Sequence, residues 1–393
     1  MSTALRISIG LIACVVVAMP AVANSAENAT GNDSRVESIG HQRVLELEKE
    51  VSVTPSVGGW FTSASWSSDG AQIAASGGYP ETDIFQASTL SVAKILDGGP
   101  KGLAALSQHS VAYSADGRVL VSGALIATVW DTAIWQPKLQ LIGPSATARQ
   151  PFGIQSIVFS PDQQLVIVAY QSPGLLGVPV VAYRIADGSV AWTYHLTPTI
   201  GRPSIRTPMV ISAARNEIAF GTREGTPDTG SDRRRLSRLV ILDALSGTMV
   251  RSIEDIHTDA PTALAISKDG QWFATATITG RLERTVGTET LENKDPVRIW
   301  SAASGALVKE LAVHTEVGAL EFSLDGKYLV GIVSESPGHS NLRIWNVNTG
   351  AVAQVLPTPR EVGSAFGLAF SRDGSRLAIV GQGIAVLRYQ PGH

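Results

Sequence analysis

Between Ala319 and Leu356 the chain alternates short apolar runs with turn residues four times over. Leu320–Phe322 gives way to Asp325-Gly326, a pair that tolerates the positive φ of a tight hairpin. Tyr328–Val333 is rich in β-branched residues and reads as a second strand, and Leu342–Val347 as a third. Asn348-Thr349-Gly350 then turns the chain into a fourth at Val352–Leu356. Four antiparallel strands in fewer than forty residues form a meander that cannot bury both faces by itself. It needs copies of itself on either side.

Copies run along the chain. The unit "apolar strand, Ser, two residues, turn, apolar strand" ends its first strand seven times, at Ser63–Gly70, Val111–Gly117, Ile157–Gln163, Met209–Asn216, Leu264–Gly270, Leu320–Gly326 and Leu368–Gly374. The turns recur at roughly 46 to 56 residues, somewhat above the ~40–45 usual for such units. Third strands recur as well, at Thr128–Asp131, Arg238–Asp243, Val297–Ser301 and Leu342–Asn346.

These residues resemble the WD40 repeat family from about Gln42 to the C-terminus. The resemblance implies an all-β fold: a seven-bladed β-propeller of four-stranded antiparallel blades. It departs from the family pattern in places. Only Trp130 is followed by Asp, Trp300 being followed by Ser and Trp345 by Asn. Of the Gly-His that often precedes each first strand, only His109, His257 and His314 remain, and they are expected to tie down loops between blades. The family's hydrogen-bond network inside each blade is therefore not expected in most blades here. The seventh unit stops at His393 without a fourth strand, while a solitary strand lies far upstream at Arg43–Val51. That strand is expected to complete the last blade and close the ring, with Leu45 and Leu47 alternating against Glu46 and Glu48.

Composition supports one packed ring. Of 393 residues, 44% are apolar and 17% charged, and 38 glycines suit many tight turns. The net charge of −3 carries no electrostatic footprint for nucleic acid. At the N-terminus, Arg6, the apolar run Ile7–Met19 and Ala21-Val22-Ala23 make a secretory signal peptide cleaved before Asn24. Residues 1–23 are thus read as signal, 24–40 as a flexible lead-in and 41–393 as the propeller. The apolar core is too short for a permanent transmembrane anchor. A competing reading makes Leu11-Ile12-Ala13-Cys14 a bacterial lipobox, with a lipid anchor on Cys14. Either way the protein is expected to be exported, periplasmic or secreted, and a bacterial source is inferred.

Individual character lies in the second-to-third-strand loops of blades three to five, Gln171–Pro179, Arg223–Ser237 and Thr279–Pro296. Neighbouring blades should crowd these loops into one sector. There an apolar tip (Leu175, Leu176, Val178) would meet a basic cluster of Arg233, Arg234, Arg235, Arg238, Arg281 and Arg284. Guanidinium forks suit carboxylates and phosphates, so the cluster is a candidate docking patch for an anionic partner such as the acidic segment of another protein. A solvated patch paired with Asp228, Asp232 and Glu283 is the plainer alternative. These loops lack the aromatic residues on which nucleic acid would stack.

Catalysis finds little support. The innermost strands end in nearly all apolar or small residues, with Glu321 the one acid, read as a packing or solvated position. The sequence has no H-E-x-x-H, G-x-S-x-G, phosphate-loop or C-x-x-C-H motif, and its histidines show no metal-ligand spacing. No cofactor is expected. Trp130, Trp300 and Trp345 are assigned to the core, and Trp60 and Phe61 to the channel mouth. The expected function is a non-catalytic protein-interaction platform. The alternative is a hydrolase- or lactonase-like enzyme, or a small-ligand binder, using the channel mouth.

Overall fold

The computed structural model describes residues 43–390 except 53–58, 79–80, 98–109, 148–149, 152, 172–177, 197–203, 206, 225–235, 258–260, 278–294, 314 and 337–338. The segments expected to be the signal and the lead-in lie outside the described residues, as do Cys14, His109 and His314.

Seven antiparallel sheets form a ring. Blade one comprises Phe61–Trp66, Gln72–Gly77, Glu81–Gln86 and Val92–Asp97, from the axis outward. Blade two follows with Ser110–Tyr113, Val119–Gly123, Ile126–Asp131 and Gln136–Ile142. Blade three comprises Gly153–Phe159, Leu165–Gln171, Val178–Arg184 and Val190–Leu196. In blade four the inner strand is broken into Ser204–Ile205 and Val210–Ser212, which both pair with Glu217–Glu224; Leu236–Asp243 and Met249–Glu254 lie outside. The break spans Pro208, which has no N–H to give to the ladder, and beside it the Gly221 N–H donates to the Thr207 side chain Oγ1 rather than to backbone (2.7 Å). Blade five comprises Pro261–Ile266, Trp272–Thr277, Val297–Ser301 and Leu307–Leu311. Blade six comprises Val317–Phe322, Tyr328–Ser336, His339–Asn346 and Val352–Pro357.

Blade seven supplies Gly367–Phe370, Arg376–Val380 and Ile384–Tyr389, and its outer strand is Leu45–Val51 from the other end of the chain. The ring is therefore closed as the sequence leads one to expect. Blade six latches the closing strand: Gln354 Oε1 accepts the N–H groups of Val44 and Leu45 (2.8 Å each), and its amide donates to Leu45 O (3.0 Å). The strict alternation expected of this strand does not hold. Leu45 is fully buried and Leu47 is 45% exposed, although both pair in register with Tyr389 and Leu387; the register shifts only beyond Leu47.

The core is divided by the same geometry. Seven apolar clusters lie one at each blade–blade interface. Trp345, 1% exposed, fills the interface between blades five and six, and Trp300 and Trp130 play the same part in theirs. Folding thus buries apolar surface between repeats, and each blade depends on its neighbours.

The Ser-x-Asp turns explain why the first hairpins are alike. In six blades the serine hydroxyl donates to the aspartate two residues on, at 2.5–2.7 Å. The same oxygen accepts the N–H five residues on, opening the next strand (2.9–3.0 Å). The serine hydroxyl is the first cause holding the Asp69, Asp116 and Asp373 carboxyls below the usual carboxylate range. Blade four lacks the aspartate, and there Asn216 takes the positive φ (56°).

Blade five contains the network that the sequence left unsupported in most blades. Trp300 Nε1 donates to Thr275 Oγ1 (2.8 Å), and His257 Nε2 lies 2.9 Å from the same hydroxyl. His257 is buried and its backbone N–H donates to Ser237 Oγ (2.8 Å), so it does tie down the connection between blades four and five. Blade two keeps the Trp130–Ser122 bond (3.1 Å). In blade six Gly331 stands where the hydroxyl would be, and the Trp345 indole N–H is buried without a partner.

Candidate functional site

The inner strand of each blade runs from the face bearing the connections between blades toward the face bearing the Ser-x-Asp turns. Its channel-side edge has no strand beside it, so its N–H groups need partners. Hydroxyls of the preceding blade provide them at three of the seven blade junctions. Ser63 Oγ accepts from Val111 N–H (3.4 Å) and Ser65 Oγ from Tyr113 N–H (3.0 Å). Ser110 Oγ accepts from Ile157 N–H (3.0 Å), and Ser156 Oγ from Met209 N–H (2.9 Å). Blade is pinned to blade on the channel wall itself.

Inside this wall lies a cavity of about 220 Å³ lined by all seven inner strands. Its polar lining is neutral, including Thr62, Ser63, Ser110, Gln155 and Ser156, apart from the carboxylate of Glu321. Sequence reading assigned Glu321 to packing or to solvent, whereas the structure places it on the cavity wall. Among the described residues its carboxylate makes no hydrogen bond or ion pair. Protein surrounds it on all sides although water reaches it through the channel, and this burial pushes its pKa up to about 8.

At the mouth on the connection face, Trp60 and Phe366 are 52% and 41% exposed. Their ring centroids are 6.0 Å apart at a 40° tilt, and Phe366 also lines the cavity. Backbone bonds hold both rings in place: Gly78 N–H donates to Trp60 O (3.1 Å), and Phe366 N–H to Val380 O (2.9 Å). Phe61 does not join them. It is 4% exposed and packs edge-on against Phe85, since its strand turns it toward blade seven. Phe366 escaped the sequence reading because Ala365–Phe370 reads as one apolar run.

Of the basic cluster, only Arg238 is described. It lies within the third strand of blade four, opposite Thr222 and Glu254, and is half-buried rather than carried on a loop. Arg233, Arg234, Arg235, Arg281, Arg284, Leu175 and Leu176 lie outside the described residues. Two of the loops are shorter than the pattern indicates. Val178 and Pro179 already pair with Leu196 and His195, and Arg223 pairs with Ser237. Among the described residues, no three His, Cys, Asp or Glu side chains converge to hold a metal.

No family model matches the chain. It is similar to WD repeat-containing protein 90 of Mus musculus, with 29% identity over 187 residues. The match covers 47% of this chain and 9% of that protein, so the chain spans only a small part of the relative's length.

Proposed function

From the premise that this chain is a WD40-repeat β-propeller, we propose that it is an exported, non-catalytic platform for binding another protein. Propellers of this kind generally serve as interaction scaffolds. The observation that carries the reading is the pinned ring. A Gln354 latch closes it, and hydroxyl-to-backbone bonds join the inner strands of blades one to four. A face that is already rigid loses little ordering entropy when a partner docks. The arginine-bearing loops of blades three to five are the proposed contact for an acidic segment, and Arg6 with Ile7–Met19 supports export to the periplasm or the medium. Lipid attachment at Cys14 is the alternative route to the same side of the membrane.

The test is a pull-down from native extract with mature wild type and a variant carrying Arg233, Arg234, Arg235 and Arg238 changed to Ser. A specific band held by wild type and lost by the variant supports the arginine platform. Identical bands with both remove the arginines as the contact, and no band with either removes the platform. A second reading, small-ligand binding at the channel mouth, is favoured by the 220 Å³ cavity and its lone carboxylate.

A further inference from the structure

The Glu321 position is an exception within its own ring. Counted back two residues from the turn serine, the other six blades carry Ser65, Ala112, Val158, Val210, Ala265 and Ala369. All are small or apolar, as a narrow channel wall favours. A carboxylate here gains nothing for packing and loses hydration. Among the described residues no cation offsets it: the cavity lining there contains no lysine, arginine or histidine. Of the strands packed on that of Glu321, Pro261–Ile266, Trp272–Thr277 and Gly367–Phe370 bring no titratable group. Tyr328–Ser336 brings Tyr328, which stacks edge-on with Tyr389, and Glu335 at its far end.

The depth order follows from the repeat. Trp60 stands seven residues ahead of its turn serine, Phe366 five and Glu321 two. At about 3.3 Å per residue, Glu321 lies roughly 10 Å below the level of Phe366. Aromatic rings at the mouth and an unpaired carboxylate at the floor are both complementary to positive charge. The volume, about 220 Å³, falls below the ~300–1,000 Å³ of pockets for drug-sized ligands. It suits one head group with a short apolar stem.

We propose that the central channel is a binding site for one organic cation, an alkylammonium or guanidinium group, which passes Trp60 and Phe366 and ends against Glu321. The proposal rests on the small-ligand reading of the channel and is independent of the arginine loops. The cation is either a free amine or a basic side chain offered by a polypeptide. Binding selects the ionised carboxylate. With a free-state pKa of about 8, some 1% of Glu321 is ionised at pH 6 and half at pH 8. Apparent affinity therefore rises roughly fifty-fold over that interval, and binding at pH 7 releases close to one proton.

Isothermal titration calorimetry on the full chain tests this with n-butylammonium, n-butylguanidinium, 1-butanol as the neutral isostere of the amine, and a Gly/Ser peptide bearing one lysine or, as control, norleucine. Running it in two buffers of different ionisation enthalpy counts the proton. Expected are saturable binding of a cationic probe, at least tenfold weakening in Glu321→Gln, and a smaller loss in Trp60→Ala, whose exposed ring is not needed for folding. Circular dichroism and melting confirm that each variant folds, and Glu321→Asp, which keeps the charge, retains part of the affinity. Saturation by the free amines identifies a small-molecule ligand, and saturation by the lysine peptide alone identifies a side chain on a polypeptide. Equal binding of 1-butanol overturns the cation while leaving a small-ligand site. Affinity unchanged in Glu321→Gln, or no saturable binding of any cationic probe, overturns the proposal.

Discussion

Replacing Thr275 by valine removes one hydroxyl from the interior and almost nothing else. The residue is fully buried, and valine matches its shape, so no cavity term enters. Its oxygen accepts the Trp300 indole N–H at 2.8 Å and lies 2.9 Å from His257 Nε2, so two buried groups lose their partner together. Each buried group left unsatisfied costs about 1–3 kcal/mol, and with some relaxation the pair should cost about 3 kcal/mol. Unfolding entropy of ~2.1 cal/mol/K per residue over the roughly 280 described residues makes that a fall of roughly 5 °C in Tm. Differential scanning calorimetry of wild type and variant reads it directly. Ser122→Ala in blade two, which strands only the Trp130 N–H, should cost about half as much. A Thr275→Val melt within 1 °C of wild type would show that the blade-five network contributes no net stability. Blade six shows that the loss is survivable, since Trp345 has no partner for its indole N–H.

The remaining expectations concern pH, closure and turns. Burial, opposed by Asp295, lowers the His257 pKa to about 4. Between pH 6.5 and 4 the unfolded chain therefore binds the extra proton, and stability falls as pH drops through that window by at most ~3 kcal/mol. His257→Gln should flatten this part of the stability–pH curve measured by denaturant unfolding, and an unchanged slope would refute the assignment. Gln354→Ala removes three hydrogen bonds to the closing strand and should cost about 1–3 kcal/mol, with limited proteolysis cutting first near residues 43–51; unchanged cleavage would count against the latch. Gly117 and Gly326 both have positive φ (73° and 69°), but an added Cβ at Gly117 would meet Ser68 Oγ at 2.3 Å while Gly326 has open space. Both alanine variants should lose about 1–2 kcal/mol to backbone strain, and Gly117→Ala measurably more. Equal melts would remove the contact between the turns of blades one and two.

The ring was legible because its turns are chemical as well as apolar patterns. Serine and aspartate two residues apart mark the end of the inner strand in six blades, with Ser212 alone in blade four, and the register of the blades follows from them. What escaped reading depends on direction rather than composition. Nothing in Ala319–Phe322 distinguishes a side chain facing the channel from one facing a neighbouring blade, so Glu321 looked like a packing or surface residue. Serines 63, 110 and 156 stand in the part of the inner strand nearest the connections, where the apolar pattern is weakest, and their bonds cross to another blade. Backbone pairing also outruns hydrophobicity. Pro179 and Arg223 continue their strands because partners stand opposite them, although neither has a strand-like side chain. At Leu47, 45% exposed, the alternation that the sequence displays does not carry through to burial.

Closure of the ring by the N-terminal strand underlies the proposed platform, and amide hydrogen exchange tests it most directly. Leu45–Val51 pairs along its length with Ile384–Tyr389, and its first amides are held by Gln354. The two strands should therefore exchange with comparable protection, and Gln354→Ala should lower that of Leu45 first. If residues 45–51 exchange as fast as a free peptide while 384–389 stay protected, blade seven has an open edge and the closed ring is wrong.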